Sequence, residues 1–269
     1  MMIHRAIIPA AGYGIRNLPV TKSIPKEMFP IAGRPTIEYI VEEAILAGIE
    51  EILIVLSRNK NEIMNYFDRS IELECILSAR GKDYLIPKIT PPKVRIHYIR
   101  QHEALGLGHA VLLGQSFAGN EPFAVLLPDQ VSLQRTSMLI PLIKTFDNFS
   151  TNVIGLQHVK TELLKNYGVV SAKRIKQRVF DIESIVEKPE INPPSNLALM
   201  GRYILKSEIF ELLKETRPGQ GGEIQLTDAL SKICSTSGMI GYAYKERWYD
   251  TSIDLDYLKI QQQAIHMNL

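Results

Sequence analysis

The sequence predicts an α/β fold built on a mostly parallel sheet flanked by helices. Three observations carry this. Short apolar runs recur at residues 6–8, 51–57 and 123–127, and near-continuous apolar runs are what strands buried on both faces of a parallel sheet require. Between them lie stretches whose apolar residues fall at helical spacing. The first run empties into a glycine-bearing loop and the third into Pro128-Asp129, and open α/β sheets place ligand chemistry at strand carboxyl ends.

The elements follow in order. Ala6, Ile7 and Ile8 read as a buried strand ended by Pro9, followed by a loop of Ala10, Ala11, Gly12 and Gly14. Pro35 starts a helix, where its missing N–H is no loss; Ile37, Ile40, Val41, Ala44 and Ile45 share one face and Gly48 stops it. With the run Glu51–Ser57 this makes a βαβ unit. Residues 60–67 read as a helix with Ile63, Tyr66 and Phe67 inward. Leu73, Cys75, Ile76 and Leu77 extend a helical pattern until Pro87, Pro91 and Pro92 break it. Residues 94–99 alternate as a strand, 101–108 form a second glycine loop, a helix begins at His109, and 123–127 is a further buried strand. A helix over 137–146 and a strand over 153–159 come next. The later half changes character: 169–170, 179–186 and 198–205 are strand-like, Ser207 is a candidate cap for a helix over 207–213, and Pro218–Gly222 is a loop. Glu223 opens a helix facing inward through Leu226, Ala229, Leu230 and Ile233, and Met239–Tyr244 is a strand. A last helix over 254–265 carries Leu255, Leu258 and Ile265 on one side. The expectation is one unit: a first part over about residues 1–160, a substrate-binding lobe over about 161–253, and a C-terminal helix over about 254–266.

Composition narrows the function. The 269 residues are 45% hydrophobic, enough for a sizeable core, and the formal charge is only +2, so a broad nucleic-acid-binding surface is not expected. No apolar run reaches the length of a membrane span. The N-terminus MMIHRAII lacks a secretory pattern, so the cytoplasm is the expected compartment. Cys75 and Cys234 are isolated, and the six histidines show no zinc spacing.

The chemistry is expected where the strands end. A small, glycine-bearing loop lets backbone N–H groups approach a phosphate, and Arg16, Lys22 and Lys26 stand just beyond to neutralise it. Asp129 and Asp250 each follow a strand pattern and can converge on one divalent cation; Mg²⁺ favours one or two carboxylates with phosphate oxygens and water. Glu187-Lys188 ends another β-segment. No Ser–His–Asp or Cys–His arrangement stands out, so no covalent nucleophile is called for.

These residues sit in longer strings. GYGIRNLPVTKSIPKEMFP resembles the signature of the sugar-1-phosphate nucleotidylyltransferases, and RQHEALGLGHAVLLG, LPDQ, YGVV, VEKP, PPSNLALMGRYIL and GGEIQLTDAL follow in family order. The whole chain is similar to the bacterial UTP–glucose-1-phosphate uridylyltransferase branch. The resemblance implies a Rossmann-like, mixed, mostly parallel nucleotide-binding sheet with a sugar-binding region from the later β-segments. It implies that Ala10, Ala11, Gly12 and Gly14 hold the nucleotide, that Arg16 and Lys26 contact the reacting phosphates, and that Gln101 and Gly106 read the uracil edge. Asp129 and Asp250 would hold Mg²⁺, and Gly168, Glu187 and Lys188 would bind the sugar phosphate. The implied partners are a nucleoside triphosphate, a sugar 1-phosphate and further copies of the chain in a dimer or tetramer.

The chain departs from the family pattern at two points. Ile15 stands where the family carries Thr, and Asp250-Thr251-Ser252 replaces Asp, a small residue and Gly. Ser adopts positive φ less freely than Gly, so a shifted Asp250 loop is expected. Two other readings fit these residues: a catalytically weak paralogue that binds and modulates an active uridylyltransferase, and the same chemistry on another sugar 1-phosphate or dTTP.

Overall fold

Alternating side chains of the early strands go to opposite faces, and both faces are covered. The computed structural model describes residues 3–134 and 136–267. In β1 (Arg5–Ala10), Ala6 and Ile8 join one hydrophobic cluster and Ile7 the other. Pro9 lies within the strand rather than ending it. The recorded pairing of β1 toward its second neighbour ends at Ile7, so a residue without an N–H is tolerated beyond it.

A long loop with 3₁₀ turns at Ile15–Asn17, Val20–Lys22 and Lys26–Met28 leads to the short pair β2 (Pro30–Ile31) and β3 (Arg34–Pro35). Pro35 therefore closes β3, and α1 (Thr36–Leu46) starts one residue later with Ile37, Ile40, Val41 and Ala44 buried as expected. Then β4 (Glu51–Leu56) pairs in parallel with β1. Next come α2 (Asn61–Phe67) and α3 (Ile71–Ala79), the latter with no buried residue. β5 (Arg95–Arg100) joins β4 in parallel, and α4 (Leu107–Leu112) and α5 (Gln115–Ala118) follow. β6 (Phe123–Leu126) pairs in parallel on the other side of β1.

Beyond β7 (Gln130–Val131) and α6 (Leu139–Phe149), strand direction becomes mixed. β8 (Asn152–His158), β9 (Gly168–Lys176), β10 (Val179–Glu187) and β11 (Leu197–Leu205) lead to α7 (Glu208–Glu215) and α8 (Leu226–Thr236). β12 (Met239–Ala243), β13 (Tyr249–Asp250) and α9 (Asp254–His266) complete the order. The main sheet has nine strands, ordered β5-β4-β1-β6-β11-β8-β12-β10-β9. Its parallel character is concentrated in β5, β4, β1 and β6; β11 joins β6 antiparallel. The later β-segments thus extend the same sheet as the early parallel strands. β9 runs well past Val169–Val170 because its second half, with Lys173, Arg174 and Lys176, is an exposed hairpin arm against β10.

Three local expectations are corrected. Ser207 precedes α7 in helical conformation and makes no side-chain cap. Glu223 adopts an extended conformation and α8 begins only at Leu226. In α9, Leu255, Leu258 and Ile265 face outward, 60%, 60% and 67% exposed, whereas Ile260 and Ala264 are buried. Polar anchoring turns the helix this way: the Tyr257 hydroxyl and the Gln261 amide both donate to the Pro30 carbonyl.

Candidate active site

The carboxyl ends of β1, β5 and β6 converge on a cleft of about 380 Å³. The loop after β1 contributes Ala11, Gly12, Gly14, Arg16 and Lys26 to its wall; Gln101 and Gly106 come from the loop after β5, and Asp129 from the turn after β6. Lys188 lies at the end of β10. Ala10, expected in the loop, is the last residue of β1 and packs in the core. Gly168, Glu187 and Asp250 do not line the cleft; Glu187 and Asp250 contact Lys188 and Ser252, which do, and Gly168 stands one step further back beside Glu187.

Each wall has a local cause. Gly14 sits at φ +67°, and a Cβ there would lie 2.9 Å from Thr21 Cγ2, so only glycine suits the turn. The Thr21 hydroxyl donates to the Gly14 carbonyl at 2.8 Å and fixes the loop against the next 3₁₀ turn. Ile15 begins the Ile15–Asn17 turn at the rim, 74% exposed, and brings no hydroxyl to it. Across the cleft Gly106 has φ +97°, with Glu223 Cβ only 2.7 Å from where a Cβ would stand.

The charged centre is compact. Lys26 Nζ donates to Asp129 Oδ2 at 2.6 Å. Burial works against the Lys26 charge, yet Asp129 and then Glu27 outweigh it and hold its pKa above the ordinary lysine value. Burial likewise pushes Asp129 upward, but the adjacent ammonium keeps the carboxyl below its usual range. Asp250 moves the other way, raised first by burial and then by the charge of Asp129.

A two-residue ladder brings the two carboxylates together. Asp250 in β13 pairs with Gln130 in β7, immediately after Asp129. Thr251 reinforces the join, its backbone N–H and its hydroxyl both donating to the Asp129 carbonyl, at 2.8 and 3.0 Å. The Asp250 loop needs no glycine: Ser252 is not at positive φ, and its N–H and hydroxyl donate to Asp250 Oδ1 at 2.9 and 2.5 Å. Arg16 Nη1 donates to the same hydroxyl oxygen at 3.1 Å. Ser252 thus links the loop cation to the second carboxylate. Replacing Ser252 by glycine removes both hydroxyl contacts, each to a charged group, and kcat/KM is expected to fall about ten-fold or more, the scale of one hydrogen bond to a charged group; steady-state assay of the variant checks this.

At the far end, Lys188 Nζ lies 3.0 Å from Glu187 Oε1. Lys188 holds φ +43°, and its N–H donates to the Tyr167 carbonyl at 3.1 Å. A non-glycine residue in this region carries backbone strain that the surroundings must hold. Gly168 faces Glu187 across the β9–β10 ladder.

Several contributors were not anticipated. Glu27 and Lys60, 1% and 2% exposed, form an ion pair of 2.6 Å directly behind Lys26. The Tyr167 hydroxyl faces Asp250 Oδ2 at 3.4 Å. His109 lies 2.9 Å through Nδ1 from Gln101 Nε2. Arg202 is fully buried in β11. It donates to Glu43 at 2.8 and 2.7 Å and to the carbonyls of Leu127 and Gln130, which flank Asp129. Glu27, Tyr167 and His109 stand within the motif strings, and Arg202 has a signal of its own as the one charged residue within the apolar run LALMGRYIL. Lys22, expected beside the loop phosphate, is exposed and makes no hydrogen bond or ion pair with this centre among the described residues.

The donor set can be tested for a metal. Among the described residues no group of three or more His, Cys, Asp and Glu side chains could hold one. What remains is a carboxylate pair of hard oxygens beside a glycine-bearing loop, which fits a cation that keeps water and phosphate oxygens in its shell.

Comparison with known proteins agrees with this architecture. The family model described as nucleotidyl transferase matches residues 5–266. UTP–glucose-1-phosphate uridylyltransferase 1 of Staphylococcus saprophyticus is 44% identical over 96% of this chain and 91% of its own. Among solved structures, a UDP-glucose pyrophosphorylase complexed with UDP-glucose superposes with a TM-score of 0.88 at 40% identity, covering 99% of this chain and 100% of that one. The UTP-bound enzyme of Acinetobacter baumannii also gives 0.88, at 38% identity and 97% and 93% coverage. A strand-end cleft with a cationic glycine loop and a carboxylate pair, and a match spanning nearly every residue, together place this chain in the nucleotidyl transferase family.

Proposed function

We propose that this chain transfers the uridylyl group of UTP to glucose 1-phosphate, giving UDP-glucose and pyrophosphate. The observation that carries the reading is the Lys26–Asp129–Asp250 centre at the end of β6, in a chain that aligns along almost its whole length with uridylyltransferases. The base sits against Gln101 and Gly106, and the triphosphate along Ala11–Gly14, held by backbone N–H groups. The sugar phosphate lies toward Gly168, Glu187 and Lys188. A phosphate oxygen of glucose 1-phosphate attacks the α-phosphorus of UTP; the new P–O bond forms as the bond to the β-phosphate bridging oxygen breaks, and pyrophosphate leaves with that electron pair. Lys26 meets charge developing at the α-phosphate and Arg16 charge on the departing pyrophosphate. Preorganised charges of this kind need no reorganisation during the reaction. Lys188 holds the attacking phosphate in line, and Glu187 accepts from sugar hydroxyls.

Asp129 and Asp250 are the residues that would hold Mg²⁺, which when bound neutralises phosphate charge and orients the triphosphate. The pairing of Asp129 with the Lys26 ammonium, and the raised Asp250 pKa beside it, support a place for a second cation. No helix among the described residues is long and apolar enough to cross a membrane. The cytoplasm, where free nucleotides are met, and a homo-oligomer complete the reading; the outward Leu255, Leu258 and Ile265 offer apolar surface for self-association.

The test is pyrophosphate release from UTP and glucose 1-phosphate. Turnover is expected with Mg²⁺, lost on chelation and restored by added metal. dTTP and galactose 1-phosphate are expected to react more slowly. Faster reaction with either would shift the substrate assignment, and no release from any pair would overturn the enzyme reading.

A further inference from the structure

The cleft presents a single kind of polar group from Gln101. That side chain is 5% exposed, just past β5, with its backbone N–H donating to the Leu56 carbonyl at 2.8 Å. Its Nε2 lies 3.1 Å from the Gly106 carbonyl and 2.9 Å from His109 Nδ1. A carbonyl only accepts, so the atom facing Gly106 is the amide nitrogen. The same nitrogen then donates to Nδ1, which places the His109 ring proton on Nε2. Both amide hydrogens are thereby engaged. Among the described residues no recorded hydrogen bond reaches Oε1, and Gln101 lines the cleft, so what it offers a ligand is an acceptor.

We infer that His109 is a specificity-determining residue, which holds the Gln101 amide so that the cleft offers an acceptor to a base bearing a ring N–H, as uracil does at N3, and rejects cytosine, whose N3 is itself an acceptor. Turning the amide over to suit cytosine would set Oε1 against the Gly106 carbonyl and would require the His109 ring proton to move from Nε2 to Nδ1. The histidine thus adds the cost of a tautomer change to the penalty for the wrong orientation. Its own place is fixed, because the N-terminal end of α4 is tied down where the Gly108 N–H donates to the Ile224 carbonyl at 2.8 Å. The inference rests on the placement of the base proposed above and deepens it. His109 acts through Gln101 and is a positioning residue for it.

The experiment measures UTP and CTP binding in the presence of Mg²⁺ by calorimetry, for the wild type and for His109→Phe, which keeps a ring but has no acceptor. His109→Asn, whose Oδ1 can take the place of Nδ1, is the rescue. His109→Leu replaces the phenylalanine variant should that one not fold, with melting curves as the check. The wild type is expected to prefer UTP. His109→Phe is expected to bind UTP about five-fold more weakly and to narrow the UTP-to-CTP ratio by a similar factor, whereas His109→Asn stays within about two-fold of wild type. An unchanged ratio in the folded phenylalanine or leucine variant overturns the inference. So does an asparagine variant as impaired as the phenylalanine one, since that marks a packing role, and so does a wild type without preference. Binding is read without turnover. Absence of pyrophosphate release would count against the proposed reaction alone, while the calorimetric ratio still judges His109.

Discussion

Replacing Lys26 by methionine is expected to lower kcat/KM for pyrophosphate release by about 10²–10³-fold, the scale seen when one preorganised electrostatic contact to a transition state is removed. Methionine keeps much of the length and apolar stem of lysine, so the Lys26–Met28 turn should hold, and buried Glu27 behind it retains Lys60. What disappears is a charge that strengthens its interaction as the transition state forms, so the loss should fall mainly on kcat. Asp129 also loses its partner at 2.6 Å and is left beside Asp250. Arginine is not an equivalent replacement, because its planar fork cannot occupy the space of a compact ammonium. Steady-state kinetics with UTP varied checks this; a variant within about five-fold of wild type would remove Lys26 from the reacting centre.

The second large effect concerns stability. Replacing Arg202 by methionine is expected to cost about 3–5 kcal/mol, because it leaves Glu43 as a buried carboxylate without its counter-charge. The guanidinium is completely buried, engages both Glu43 oxygens, and stacks 4.6 Å over the Trp248 ring. It also donates to the Leu127 and Gln130 carbonyls, so its loss slackens the turn that aims Asp129. A melting temperature lower by on the order of 10 °C should result, accompanied by weaker activity at temperatures where the variant remains folded. The double variant with Glu43→Met removes the stranded charge and should recover part of the loss, since apolar replacement of a whole buried pair is far milder than breaking it. A single variant as stable as wild type would show that the pair contributes little.

The contrast between these two residues marks how far the sequence carries. Lys26 was legible because it stands in a motif string beside glycines, where local order and family resemblance coincide. Arg202 was visible only as an oddity in an apolar strand; its partners lie 159, 75 and 72 positions away and follow from the crossing of α1, β11 and the Asp129 turn. The outward face of α9 departs from the sequence expectation for a related reason. Its apolar residues form more than one arc, and the hydrogen bonds of Tyr257 and Gln261 to Pro30 choose which arc is buried.

The sequence by itself determined the α/β class, the parallel early strands, the glycine loop and the residue types of the centre. Those depend on periodicity and on groups close together in the chain. Only the tertiary structure decided that the expected convergence of Asp250 on Asp129 runs through the β7–β13 pairing, that Ser252 links Arg16 to Asp250, and that His109 orients Gln101. Each is a contact between segments distant in the chain or on different elements, set by strand order and the docking of loops. No local propensity encodes a direction for a side chain whose partner arrives from elsewhere in the fold.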